Sequence, residues 1–437
     1  MNRANHLQPG WISTRLTDAF DIHLGKMLSP EASVGIHLKP YLANRNVQWN
    51  KFALDDLGLM SFSPSESQRF RLAPGDLLVC EGGEIGRTAI WSGELPECYF
   101  QKALHRLRPK RQLIIEPRFM LHYMRYIVDK APLVDLVGQT SIAHLTREKL
   151  ALLKVEHPVS VHEQQHIVDI LDTADEQIRV AECSTAKLVT LRDAAIREST
   201  LPGLRCFREL QASELYSGAH RSFGSWSLAP LGSLLSGIDA GLSPDLEDTP
   251  AGPGQWGVLK VSAVGNGGFR PEENKVVFDH TLYNSAICVR PGDLLITRAN
   301  TTQLVGLSCI VENTPPHLML CDKTLRLRMS HPYAGAKYVA IVLGLAEIRH
   351  QIETAATGTS GSMKNISQQA IRQLMIPLGS PADVDQVVNI DALFRKQLAA
   401  NRKEIGQLHA LKHGLADDLL AGRVRVKGSG PERVRAG

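Results

Sequence analysis

The chain repeats itself at half its length. The string PGDLL at 74–78 returns at 291–295, an offset of 217 residues in a chain of 437. LSP recurs at 28–30 and 242–244, QKALHRLR (101–108) resembles DKTLRLR (322–328), and Thr140-Ser141 returns as Thr359-Ser360. The offset drifts between about 214 and 222 residues, as loop insertions produce. Matches in one order, half a chain apart, mean two copies of one globule, each large enough to bury its own core.

Each globule reads as α+β. LLVCEGGEIGRTAIW (77–91) and LLITRANTTQLVGLSCIV (294–311) are short apolar runs broken by Gly and polar loops, the pattern of strand–turn–strand. PRFMLHYMRYIVDKA (117–131) and AKYVAIVLGLAEIRHQI (336–352) have apolar spacings near 3.6 and predict one amphipathic helix each. A different kind of segment closes each half. From Glu163 to about Glu198 there is neither Pro nor Gly, and Leu171, Ala174, Ile178, Ala181, Thr185 and Leu188 alternate by three and four. From Ala382 to about Leu420 the same stripe runs through Val387, Phe394, Leu398, Ile405, Leu408, Leu411 and Leu415. Such spacing over several heptads predicts coiled-coil helices, and two stripes in one chain pack most simply against each other. The simpler alternative is that each helix covers only its own globule. The expected divisions are a globule at 1–159, a helix at 160–203, a second globule at 204–379, a second helix at 380–424 and a basic tail at 425–437.

Composition narrows the function by exclusion. Net charge is +4, and the last 17 residues carry all of it, so bulk charge makes no case for nucleic-acid binding. The seven cysteines form no C-x-x-C pair and suggest reduced thiols. The start MNRANHLQPGW lacks the layout of a secretory signal, and a cytoplasmic location is expected. There is no G-x-x-x-x-G-K-[ST] phosphate loop. Thr314-Pro315-Pro316-His317 lacks the amide and the aromatic ring of an amino-methyltransferase motif and reads as a loop. Pro244-Asp245 with Glu273-Asn274-Lys275 imitates a PD…E-x-K nuclease layout, but the string is short and reads better as solvated loop charge. Asp18, Asp21 and His23 lack a partner set for a metal. No catalytic residue and no metal site is expected.

What remains is the placement of groups suited to phosphates and base edges. Lys102, Arg106 and Arg108 lie in an acid-free basic run at 101–111, echoed by Lys323, Arg326 and Arg328. Arg298, Asn300 and Thr301 follow the second PGDLL strand, where the first copy has Glu81-Gly82-Gly83-Glu84 and Arg87. Gln139 and Ser141, and Ser360 and Lys364, sit in polar loops before the last apolar segment of each globule. One scaffold carrying two loop chemistries suits a protein that reads two short sequences.

Several strings then resemble one family, the specificity subunits of type I restriction–modification systems. They are PYLANRNVQW (40–49), FALDDL (52–57), PGDLLVCEGGEIGRTAIW (74–91), VLKVSAVGNGGFRPEENK (258–275), PGDLLITRANTTQLVG (291–306) and LHALKHGLADDLLAGRVRV (408–426). The resemblance implies two target-recognition domains, each reading half of a split site in double-stranded DNA. It implies long helices paired antiparallel that dock methyltransferase and restriction/translocase subunits. S-adenosylmethionine, ATP and Mg²⁺ would belong to those partners, and this chain would need no cofactor. One departure is that EQQHIVDIL (163–171) begins the first helix as the family does, whereas the second begins Val384-Asp385-Gln386. The rival readings are a two-domain interaction scaffold that reads no DNA and a self-contained nuclease.

If the paired helices set the gap between half-sites, lengthening them should change it. Four residues inserted after Ala181 add about 6 Å of helix and largely keep the apolar stripe. The preferred spacer in a DNA library should then grow by roughly two base pairs at about 3.4 Å each. An assembled complex with an unchanged spacer preference would assign the gap to the globules instead.

Overall fold

The computed structural model of the chain describes residues 7–34, 38–130, 144–208, 222–265, 267–358 and 363–426. Its contacts divide the chain into two units, Met1–Glu182 with Lys403–Gly437, and Cys183–Arg402.

In the first unit the elements that matter here are β1 (Trp11–Arg15), β2 (Phe20–Leu24), β3 (Leu38–Leu42), β4 (Gly58–Ser61), β5 (Leu77–Cys80), β6 (Thr88–Ile90), β7 (Tyr99–Phe100), β8 (Leu104–Pro109), α1 (Pro117–Asp129), β9 (Lys154–Pro158) and the start of the 48-residue α2 (Val161–Arg208). β5 is LLVC, buried at all four positions, as an apolar run must be when both faces of its strand are covered. It lies in an antiparallel sheet of order β2-β8-β5-β6, with β8 between β2 and β5. A second sheet has the order β4-β3-β7, in which β3 and β7 are parallel. β1 pairs antiparallel with β9, so the first strand is tied to the segment that leads into α2. α1 begins at Pro117, where a missing N–H is harmless, and the Glu116 side chain accepts from the Phe119 N–H at 2.8 Å. Its buried Phe119, Met120, Tyr123, Met124 and Ile127 close the core over β5 and β8.

The second unit repeats this plan. It contains β10 (Trp226–Pro230), β11 (Leu235–Asp239), β12 (Trp256–Leu259), β13 (Asn274–Val277), β14 (Leu294–Thr297), β15 (Ala299–Asn300), β16 (Ser308–Ile310), β17 (Leu318–Met319), β18 (Thr324–Met329), α3 (Ala336–Val342), α4 (Ala346–Ala355), β19 (Lys364–Asn365), β20 (Met375–Leu378) and the start of α5 (Pro381–Leu420). The main sheet has the order β11-β18-β14-β16, the side sheet β13-β12-β17 with its parallel pair β12–β17, and β10 pairs with β20. Each sheet is the counterpart of one in the first unit. The single helix expected over 336–352 is instead two, because the chain turns extended at Leu345 after Gly344. α2 runs beyond the expected Glu198, through Pro202 to Arg208, because Ile196 and Leu204 are held in the second unit's core beside Trp226.

Both long helices contribute to each unit, and within each they pair antiparallel. In the first unit Lys412 meets Asp175, and His409 lies 3.7 Å from Glu182. In the second, Asn401 Nδ2 donates to Thr185 Oγ1 at 3.4 Å, and Arg192 grips Asp391 at 2.5 and 2.7 Å. The seam on α5 passes through Leu398, Asn401, Ile405, Leu408, Lys412, Leu415 and Leu419, a strict three–four alternation. Leu411 falls off that seam and is 55% exposed, while Lys412 is buried. The expected stripe was therefore one residue out of phase at that point.

Two histidines of the first unit are buried neutral. His105 Nε2 donates to the Leu145 carbonyl at 2.7 Å. His157 donates from Nδ1 to the Pro158 carbonyl and accepts from the Thr14 hydroxyl at Nε2, each at 2.8 Å. Burial pushes both below the ordinary value of 6.5. Above that value neither the folded nor the unfolded ring is charged. Below it the unfolded chain takes up protons that the fold refuses, so stability is lost as pH falls. The urea midpoint should drop between pH 7 and pH 5, with a shallower fall in His105→Gln; equal slopes for both proteins would remove His105 from this account.

Candidate nucleic-acid interface

The basic run expected to face solvent forms a central strand instead. β8 lies between two neighbours, which buries alternate residues on both of its faces, and Arg106 is 4% exposed. Its Nη1 donates to the carbonyls of Arg69 (2.9 Å) and Arg71 (3.2 Å). In the second unit Arg326 donates to Ala286 (2.8 Å) and Cys288 (2.9 Å). Residues 286 and 288 stand 217 beyond 69 and 71, so the same bond recurs at the repeat offset. Arg108 closes on Asp76 of the first PGDLL at 2.6 and 2.7 Å, and Arg326 reaches Asp293 of the second at 3.1 Å and Asp239 at 2.8 Å. Arg328, half exposed, lies 3.2 Å from Asp239.

These charges are shaped by their surroundings. Burial, helped by Arg108, lowers the Arg106 pKa from its ordinary value. Burial works against Arg326 too, but Asp239 and Asp293 outweigh it and raise its pKa. The hydrogen bonds that Arg108 donates to Asp76 raise the pKa of Arg108. Burial lowers His23, and Arg106, Arg69 and Arg147 push it the same way. As phosphate contacts, Arg106, Arg326 and Arg108 are therefore corrected: their donors hold the segment before PGDLL onto the sheet. Arg87 joins them, since it is buried and donates to the Asn44 carbonyl at 3.0 Å while pairing with Glu84 at 2.9 Å.

The loop that follows each PGDLL strand is held by a different set of bonds. In the second unit the Arg298 N–H donates to the Lys323 carbonyl (2.7 Å), and the Arg298 carbonyl accepts from the Ile366 N–H (2.9 Å). Asn300 stands opposite Lys364 in the β15–β19 ladder. Arg298, Asn300, Thr301, Lys323 and Lys364 thus come together from three separate stretches. Arg298, Thr301 and Lys323 are exposed, Asn300 accepts from the Thr301 N–H at 2.9 Å, and Lys364 donates to the Gly358 carbonyl at 2.7 Å. In the first unit the Glu81 N–H donates to the Ala103 carbonyl (3.0 Å), and its carbonyl accepts from the Leu145 N–H (2.8 Å). Lys102 is exposed beside that hub. Gln139, Ser141 and Ser360 lie outside the described residues.

Sequence reading missed several neighbours. Asn44 donates to the Gly82 carbonyl at 2.8 Å, and a Cβ on Gly82 would sit 3.2 Å from His144 Nδ1. In the second unit Trp256 is stacked between Tyr283 (4.4 Å) and His317 (4.6 Å), near a mostly exposed Phe278. His317 ends the Thr314-Pro315-Pro316 loop at φ 67°, a backbone region that favours glycine. The W…F-x-H…Y composition of 256–283 was the available signal. Glu273 accepts from Ser262 at 2.5 Å and Lys275 donates to the Leu246 carbonyl at 3.2 Å, which accounts for the nuclease-like string as loop packing. Among the described residues, His122, Asp172 and Asp175 place ligand atoms within 4.8 Å of one another. Arg118 and His122 already engage Asp172, and Lys412 engages Asp175, so these carboxylates are neutralised by the helices that pack there.

The description "type I restriction modification DNA specificity domain" matches residues 10–188. That stretch, the first globule with the start of α2, is similar to the type I specificity family. Over 196 residues it is 32% identical to the type I restriction enzyme EcoEI specificity subunit of Escherichia coli, which covers 44% of this chain and 33% of that protein. The match thus spans about a third of that subunit's length. The fold is like that of the S subunit of a type I restriction–modification system from M. genitalium, with TM-score 0.50, 13% identity, 96% of this chain and 98% of that one. It is also like a chain from a structure of a type I R-M system, with TM-score 0.58, 15% identity, 96% and 99%. The matched specificity domain is the first globule and the start of α2, and the second unit repeats its sheets in the same order. Among the described residues, no helix is long and apolar enough to cross a membrane.

Two classes of arginine follow, and stability separates them. Arg106→Ala and Arg326→Ala should each cost about 3 kcal/mol, the scale of breaking a buried charged contact. Arg298→Ala and Lys323→Ala should stay within about 0.5 kcal/mol. Urea unfolding followed by circular dichroism measures both, and an undisturbed Arg106→Ala would return that side chain to the list of DNA contacts.

Proposed function

We propose that this chain is the DNA-reading, non-catalytic specificity subunit of a type I restriction–modification complex. Each α+β unit reads one half of a bipartite duplex target. The long helices dock methyltransferase and restriction/translocase subunits, and those partners supply S-adenosylmethionine-dependent methylation and ATP- and Mg²⁺-dependent restriction. The site of action is the cytoplasm. The observation that carries this reading is the pair of hubs. Each unit presents a backbone-pinned loop after its PGDLL strand, and the first lies in the matched specificity domain.

Within the second hub, Arg298, Asn300, Thr301, Lys323 and Lys364 are the DNA-contacting set, joined in the first unit by Lys102 and in the polar loops by Gln139, Ser141 and Ser360. Arg328 keeps a phosphate role at the strand end. Lys102 and Lys323 suit phosphates, because a flexible ammonium makes a non-directional contact.

Binding of the full chain to a randomised duplex library should select two short half-sites separated by a gap of indifferent sequence, and affinity should fall steeply with salt. Lys102→Ala and Lys323→Ala should each lower the salt slope by about one without changing the selected sequence. Salt-independent binding, or a single uninterrupted consensus, would sink the proposal. DNA cutting by the purified chain with Mg²⁺ would favour a nuclease instead.

A further inference from the structure

We infer that residues 81 and 298 occupy one specificity-determining position of the repeat. There Glu81 accepts from the exocyclic amino group of cytosine or adenine, and Arg298 donates to a guanine edge. The inference rests on the reading of this chain as a DNA reader and assigns chemistry to that site.

The equivalence is structural. Glu81 and Arg298 lie 217 residues apart, each immediately past its PGDLL strand with two residues between. Each N–H donates to the turn leading into the central strand, at Ala103 (3.0 Å) or Lys323 (2.7 Å). Each carbonyl accepts from the residue just before a short helix, Leu145 (2.8 Å) ahead of Arg147–Leu152, or Ile366 (2.9 Å) ahead of Gln368–Gln373. A backbone held on both sides presents its side chain from a fixed point, which is what selective recognition requires.

Charge is reversed at this fixed point. Arg298 is exposed and Glu81 half-buried, and among the described residues neither side chain has a hydrogen-bond or ion-pair partner. Arg106, Arg108 and Arg326 on the neighbouring strands are all engaged. The hubs around the two residues also differ in composition. Glu81 is followed by Gly82, Gly83 and Glu84, which pairs with Arg87, with Lys102 beside it, whereas Arg298 is grouped with Asn300, Lys323 and Lys364.

The reversal itself separates phosphate from base. A carboxylate is repelled by the phosphate backbone, so a position that carries Glu in one copy is not a phosphate clamp of the scaffold. At a base edge, Glu accepts from cytosine N4 or adenine N6, and Arg pairs with guanine O6 and N7. A scaffold position that faces base edges accommodates both residues, and the half-sites then differ because the side chains do.

The test selects duplexes from a randomised library with the full chain, its Arg298→Ala variant and its Glu81→Arg variant. Wild type should require guanine at one position of one half-site and cytosine or adenine at one position of the other. Arg298→Ala should weaken that guanine preference roughly 10- to 100-fold and leave the other half-site unchanged. Glu81→Arg should convert the cytosine or adenine preference to guanine in its own half-site. Thermal melting of the variants confirms that each is folded, and the Glu81→Arg gain of a new preference is a result that misfolding does not produce. Unchanged consensus sequences would overturn the inference. So would a variant that loses affinity equally for every sequence with a lower salt slope, since that marks a phosphate contact. If wild type selects no bipartite sequence, the DNA-reading function fails and this assignment falls with it, a result distinct from an intact consensus that the variants do not alter.

Discussion

A guanidinium buried on the central strand of each unit is the contact on which the rest is built. Arg106 and Arg326 are buried, and although Nε of Arg106 has no partner among the described residues, their Nη donors are met inside the protein. They find the carbonyls of 69 and 71, or 286 and 288, just ahead of each PGDLL strand. The bond fixes the course of the chain into PGDLL, and Asp76 or Asp293 from that string then closes on Arg108 or Arg326. The apolar strand behind it and the loop after it are positioned as a result. A lysine at the same place would present one ammonium where the geometry uses a planar fork of several N–H groups.

The helices solve a related problem with polar groups in the seam. A purely apolar three–four stripe can slide by a heptad, since each register buries similar surface. Lys412 against Asp175 in the first unit, and Thr185 with Asn401 and Arg192 with Asp391 in the second, each match only in one register. Asp391 is gripped by Arg192 and by Arg395 from its own helix, so its buried carboxylate is compensated on two sides. Such pairs contribute little net stability compared with apolar residues of the same volume, but mismatching them leaves a buried charge uncompensated. Register is therefore where their influence lies.

The two kinds of charged residue divide the molecule between holding and reading. Those on central strands and in the seam are engaged by partners within their own unit. Those at the loop hubs, Arg298 and Lys323 above all, stand on pinned backbone with their donors turned to solvent. A position whose backbone is anchored by bonds to the scaffold tolerates a change of side chain without a change of fold. The Glu81 and Arg298 pair is that tolerance in practice, with opposite charges on the same two backbone bonds.

The half-chain repeat, the strand–turn–strand at each PGDLL, the helix from Pro117 and the two long helices could all be read from the sequence. Each is a local pattern, set by periodicity and by the conformational limits of Gly and Pro. The parallel pairings of β3 with β7 and β12 with β17 were not legible, because they join strands far apart with no turn between them. The break at Gly344 and the shift of the seam from Leu411 to Lys412 were missed because an apolar residue at roughly the right spacing reads alike whether or not a neighbour covers it. The basic run at 101–111 was misread for a deeper reason. The sequence alone determined that Arg106 and Arg108 stand on either side of Leu107 in a basic run, but burial depends on what packs against that run. Only the tertiary structure decided that this run forms β8 with β2 and β5 on either side, which buries Arg106, whereas Arg298 on its loop in the other unit is exposed. A charge in water and a charge in a core share one letter and differ only in their neighbours.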